Sequence, residues 1–138
     1  MLVGHGGLGS GNSSYGNLQF KLIRDGLTNV RIAVLENAPY VADVAMPWEW
    51  LDGKRPNTIY VHPLLLVLGD HAQNDLFGDE DDSIINELAD YGYEVKPIHS
   101  ALGEYEAIQD IFRQHVQDCI DDLYGKRSPH RPTIPNIK

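Results

Sequence analysis

The strongest constraint on this chain is an alternation. Short apolar, β-branched runs recur along it, and each is followed by a segment whose apolar residues fall at helical spacing. Met1 to Val3 reads as the end of a first strand. "NVRIAVLE" (29–36) is a second that stops at a carboxylate, "NTIYVHPLLLVLG" (57–69) a third, and "YEVKPIHS" (93–100) a fourth. Between them, Tyr15 to Asp25 has Tyr15, Leu18, Leu22 and Ile23 on one helical face with Gly26 as a stop. "NAPYVADVAMPWEWLDG" (37–53) reads as a helix that Pro47 should break or kink. "DDSIINELADYG" (81–92) opens on Asp and Ser caps, carries Ile84, Ile85 and Leu88, and closes at Gly92. "GEYEAIQDIFRQHVQDCIDDLYG" (103–125) sets Ile108, Ile111, Phe112, Val116, Cys119, Ile120 and Leu123 on a single apolar face.

The order β-α-β-α-β-α-β-α predicts an α/β fold: a parallel sheet of about four strands, flanked by helices through right-handed crossovers. The chain of 138 residues is long enough for one such lobe, assigned to 1–125, followed by a Pro-rich C-terminal extension at 126–138. The third strand is apolar enough to be covered on both faces. Pro63 is expected at its entrance or at a bulge, and His62 just ahead of it.

In sheets of this kind ligands bind beyond the carboxyl ends of the strands. His5 follows the first strand, Glu36 ends the second, His71 follows the third and His99 ends the fourth, so all four gather on one edge. Two imidazoles and a carboxylate arriving from separate strand ends suit a divalent metal, and Fe, Co, Ni and Zn all accept such donors. The bland alternative is that each group caps a helix or satisfies loop amides. "GHGGLGSGNSS" (4–14) admits a second reading as an anion cradle, although the Lys-Ser/Thr ending of a Walker loop is absent. The same glycines would let backbone approach a flat, bulky ligand. The acidic run Asp79 to Asp82 serves a helix start first and the attraction of hydrated cations second.

Charge narrows the partners. A net charge of −9 argues against nucleic acid and against an anionic membrane surface, both of which need clustered Lys and Arg. The run Leu64 to Leu68 is too short to span a bilayer, and the opening "MLVGHGG" lacks the pattern of a secretory signal, which points to the cytoplasm. Cys119 is the single cysteine, so neither an internal disulfide nor a thiolate cluster can form in one chain, and on an apolar helix face its thiol is expected to be inert. His115 and His130 fall on a helix and in the tail, without evident partners for ligation.

"LVGHG" with "NSSYGNL", then "VLENAP", then "HPLLLVLGDHAQNDLFGDEDDS", then "ALGEYEAIQDIF" resembles the anaerobic cobalt chelatases, the sirohydrochlorin cobaltochelatases of cobalamin synthesis. The similarity runs from about residue 2 to residue 123, and the spacing of "GDHAQND" and "GDEDDS" is its most specific part. The resemblance implies one lobe, the C-terminal one, of a ferrochelatase-like fold in which two similar lobes enclose a tetrapyrrole cleft. It implies ATP-independent insertion of Co2+ into sirohydrochlorin or a related tetrapyrrole, with Fe2+ or Ni2+ as other ions and no nucleotide. Metal binding then falls on His5, Glu36 and His71, with His5 and His71 as the catalytic pair and His5 as proton acceptor. Gly4, Gly6, Gly7, Asp70 and Asn74 become substrate-binding or loop-shaping positions, with Asp75 supporting them. A single lobe implies a homodimer or pairing with a second chelatase lobe. The alternatives are a non-catalytic metal- or tetrapyrrole-binding lobe and a truncated, inactive chelatase fragment.

Overall fold

Ile32, Ala33 and Val34 are apolar at successive positions, so a strand built from them has to be covered on both faces. In a computed structural model, which describes residues 1–45 and 55–126 with the side chain of His71 excepted, all three are buried. They belong to β2 (Ile32–Glu36), which pairs in parallel with β1 (Leu2–Gly6). β3 (Thr58–Pro63) lies on the other side of β1, and β4 (Glu94–Pro97) lies beyond β3. The sheet order is therefore β2-β1-β3-β4, all parallel. Helices α1 (Ser13–Arg24), α2 (Val41–Ala45), α3 (Asp70–Phe77) and α4 (Ile84–Asp90) occupy the connections. The α/β class and the four parallel strands expected from the alternation are what is found.

The described residues fall into two compact units, divided after Leu102. In the first unit Val3, Ala33, Val61, Leu76 and Leu88 are fully buried and meet Val41, Ile59 and Ile84 in one core. Burying each of the valine, isoleucine and leucine side chains stabilises the fold by roughly 1.5–3 kcal/mol before chain entropy is charged against it. Helices α1 and α4 end where Gly26 and Gly92 were expected to stop them. Leu27 N–H reaches Leu22 O at 2.8 Å and Tyr93 N–H reaches Leu88 O at 3.2 Å, the Schellman closure.

Three expectations are corrected. The third strand ends at Pro63, so Leu64 to Leu68 leave the sheet, and His62 lies inside the strand rather than ahead of it. Pro63 is the last strand residue, not the first, and it is buried. The ladder explains how it is tolerated. His62 N–H and Leu64 N–H bond to Met1 O, just ahead of β1, and to Val3 O within it, so position 63 faces β4, which has already ended at Pro97. The missing donor leaves no partner on β1 unserved. Second, "DHAQNDLF" is a helix, α3, so two helices separate β3 from β4. The helix expected over 37–53 is present as Val41–Ala45, and its continuation through Pro47 lies outside the described residues.

The third concerns the second unit, where α5 (Glu106–Leu123) forms as its spacing predicts. Its apolar face is exposed rather than buried: Ile111, Phe112, Val116, Ile120 and Leu123 all stand in solvent, as does Cys119. A thiol placed there is not sheltered by an apolar core. The extension beyond residue 126 lies outside the described residues.

Candidate functional site

β1 is flanked by β2 and β3, so the segments that leave both neighbours border the end of β1. His5, expected just after the first strand, lies within it as its fourth residue. The register pairs Gly6 with Glu36. Backbones are in near contact there: Gly6 has φ +82°, and a Cβ built on it would lie 2.1 Å from Glu36 O. No L side chain fits that conformation or that gap. Gly4 is restricted differently, since a Cβ would meet the Tyr15 ring at 2.3 Å. The same tyrosine's hydroxyl accepts a 3.3 Å hydrogen bond from Gly6 N–H. Packing thus accounts for Gly4 and Gly6, whereas Gly7 has open space around it.

On this frame His5 Nδ1 comes to 4.0 Å from Glu36 Oε2, with both side chains about half exposed. Donors about 2.1 Å from a first-row ion, at a tetrahedral angle, stand about 3.4 Å apart. A cation shared by the two needs them to close by only about half an ångström. Nδ1 also lies 3.3 Å from Gly6 O. With a proton on Nδ1 pointing at that carbonyl, Nε2 carries the free lone pair; with the proton on Nε2, the Nδ1 lone pair is the one beside Glu36 Oε2 and the two can share a cation. Either tautomer leaves one ring nitrogen able to take a metal or a proton.

Asn12 and Asn37 join the site although their spacing gave no sign of it. Asn12 Nδ2 donates to Glu36 O at 3.1 Å and to Ala38 O at 2.9 Å, and Asn37 Nδ2 donates to Gly7 O at 2.9 Å. In sequence Asn12 resembles a helix cap, which is the signal that concealed it. Gly7 O and Gly6 N–H are therefore engaged within the protein, an arrangement that fits a braced loop better than an anion cradle.

His71 is the second residue of α3, at the end of the loop from β3; its side chain lies outside the described residues. Asp70 opens the same helix and is exposed. Asn74 and Asp75 line a cleft of about 310 Å³ together with Tyr40, Glu80, Asp82 and Glu87. Carboxylates there make a field that draws cations and repels polyanions. His99 packs its ring against Phe77, centroids 4.5 Å apart, which gives it a structural contact of its own. Among the described residues no group of three His, Cys, Asp or Glu side chains is close enough to hold an ion, so His5 and Glu36 stand as a pair. A larger cleft, about 700 Å³, is lined by Met1, Tyr60, His62 and Ile98 among others and contains none of the expected site residues. No helix among the described residues is long and apolar enough to cross a membrane.

Comparison with known proteins adds to this geometry. A family model described as cobalt chelatase (CbiK) matches residues 1–121. A sirohydrochlorin cobaltochelatase of Salmonella typhimurium is 28% identical over 121 residues, which cover 88% of this chain and 44% of that protein. The chain thus spans less than half the length of the curated relative it matches.

Proposed function

The chain belongs to the cobalt chelatase family, and from that premise we propose that it supplies one lobe, residues 1–125, of an ATP-independent enzyme inserting Co2+ into sirohydrochlorin or a related tetrapyrrole. The observation that carries this reading is the His5–Glu36 pair at 4.0 Å, on the edge of the parallel sheet where ligands bind. His71, on the first turn of the helix after β3, is the third ligand in this proposal. The ion is the substrate, and the three protein donors leave coordination positions for the pyrrole nitrogens. The same donors accept Fe2+ or Ni2+, so preference for Co2+ rests on the family.

Insertion exchanges one divalent cation for two pyrrole N–H protons. A neutral imidazole has one lone pair, which can hold the ion first and take a pyrrole proton once the ion has passed to the ring. His5 and His71 thus take the catalytic roles, one proton each, with Glu36 balancing the ion's charge before transfer. Exposure of His5 and Glu36 suits a group that must meet a large planar partner from solvent. Gly7, Asp70 and Asn74 are the substrate-binding positions in this proposal, while Gly4 and Gly6 shape the strand end. The relative's greater length supports pairing with a second lobe, either in a homodimer or with another chelatase lobe, to complete a cleft. Cobalamin synthesis in the cytoplasm is the setting this implies.

The test is Co2+ insertion into sirohydrochlorin, followed by the change in its absorption spectrum, for the wild type and for His5→Ala and His71→Ala. Loss of insertion in both folded variants is expected. Wild-type rates in both would overturn the assignment. Binding of Co2+ and tetrapyrrole without turnover by the wild type would instead favour a carrier lobe.

A further inference from the structure

The loops that follow β1 and β2 hold each other through their side-chain amides. Asn12 sends both Nδ2 hydrogens out of its own loop, to Glu36 O and Ala38 O. Asn37 donates in the opposite direction, to Gly7 O. The ties run both ways, and they land on Glu36 itself and within two residues of His5.

Local structure does not account for the Asn12 amide, and it accounts for the backbone of Asn37 but not for where its amide points. Asn12 occupies the N-cap position of α1, where an asparagine normally accepts a hydrogen bond from a helix N–H. It makes no such bond, and its amide is turned to the second loop instead. Asn37 has φ +65°, a left-handed conformation that glycine meets more easily than any other residue. Glycine would satisfy the backbone there but would leave Gly7 O without its donor.

We infer that Asn12 and Asn37 are positioning residues for metal acquisition, setting the separation of the His5 ring and the Glu36 carboxylate and thereby the affinity for a divalent cation. The inference rests on the assignment of His5 and Glu36 as ligands made above. Its physical basis is preorganisation. Both side chains project from strand ends that the ladder already pairs, so the clasp acts on the segments that follow them. Were those segments untied, the ion would have to order them, and that ordering would be subtracted from binding. With the loops clasped, the pair already stands near shared-ligand distance. Groups that orient metal ligands commonly govern affinity by about 10–100-fold.

The experiment titrates Co2+ alone into the full chain, with no tetrapyrrole, and follows the ligand-field absorption of the bound ion. Thermal unfolding is recorded in parallel. Asn37→Gly keeps the backbone conformation and removes the amide. Asn12→Asp is isosteric and places a carboxylate oxygen against two carbonyls. Both are expected to weaken Co2+ binding by about 10-fold or more and to alter the ligand-field spectrum, which a purely structural role would leave alone. Asn12→Gln, which retains the donors, should recover part of the affinity. Wild-type affinity and spectrum in Asn37→Gly and Asn12→Asp, alongside lost binding in His5→Ala, would overturn the clasp and leave the ligand assignment standing. Undiminished binding in His5→Ala would overturn the ligand assignment, and the clasp with it. Should Asn12→Asp fail to fold, Asn37→Gly decides.

Discussion

His5 and Glu36 leave the ends of adjacent parallel strands and meet with Nδ1 and Oε2 4.0 Å apart. Neither group is sheltered, so their proximity is held by backbone: the Gly6–Glu36 contact beneath them and the asparagine clasp beside them. An exposed donor pair on a rigid strand edge can take an ion from water and present it to a flat ligand.

Glu36→Gln keeps the side-chain shape and removes its charge. The KM for Co2+ in the insertion assay is expected to rise at least about 10-fold, the lower end for groups that merely support a metal ligand. Stability should stay within about 0.5 kcal/mol, because the side chain is half exposed. An unchanged KM would remove Glu36 from the site.

Gly6→Ala should destabilise by more than about 2 kcal/mol, combining left-handed backbone strain with displacement of Glu36 O. Gly7→Ala, with open space around it, should lie within about 0.5 kcal/mol of the wild type. Urea unfolding of both variants measures the difference, and equal midpoints would contradict the Gly6 geometry.

Leu88 is fully buried in the core of the first unit, and Leu88→Ala is expected to cost about 2–5 kcal/mol. Leu123 on α5 is 85% exposed, so Leu123→Ser should move stability by no more than about 0.5 kcal/mol. A large loss in the second variant would show that the α5 face is covered in solution.

In a polypeptide that begins at Met1, the amino group lies buried and donates to Tyr60 O at 2.6 Å. Burial first, and the Arg31 charge second, hold it down to about 6, against 8.0 for an ordinary terminus. Between those values the unfolded chain binds the proton and the folded chain does not, so stability rises with pH across the interval. The contribution is complete above pH 8.0 and falls away towards pH 6, by on the order of 2 kcal/mol. Urea midpoints of the free and Nα-acetylated chains across this window provide the check. Parallel curves would show the terminus to be exposed.

Much of this was legible beforehand. Gly26 and Gly92 marked their helix ends, since a left-handed closing residue is a local requirement. "NVRIAVLE" announced a strand ending at Glu36, whereas the third strand, expected to be covered on both faces, alternates and leaves Tyr60 exposed. The end of β3 was not legible. Leu64 to Leu68 continue the apolar character of a strand, and periodicity cannot separate a strand from a loop lying against a core. Whether Pro63 could close that strand depended on which neighbour it faced. Helix α3 was hidden for a related reason: its short apolar signal, Leu76 and Phe77, falls at its end. Asn12 was hidden because asparagine is one of the residues preferred as a helix cap.

From the sequence alone came the alternation of elements, hence the parallel sheet and the edge to which His5 and Glu36 belong. Side-chain period and turn residues act over a few positions, and those are written locally. Only the tertiary structure decided that β1 lies between β2 and β3, that Gly6 sits opposite Glu36, and that two asparagines tie the loops above them. Strand order and register are settled by hydrogen bonds and packing between segments distant along the chain, and no short stretch of residues encodes them.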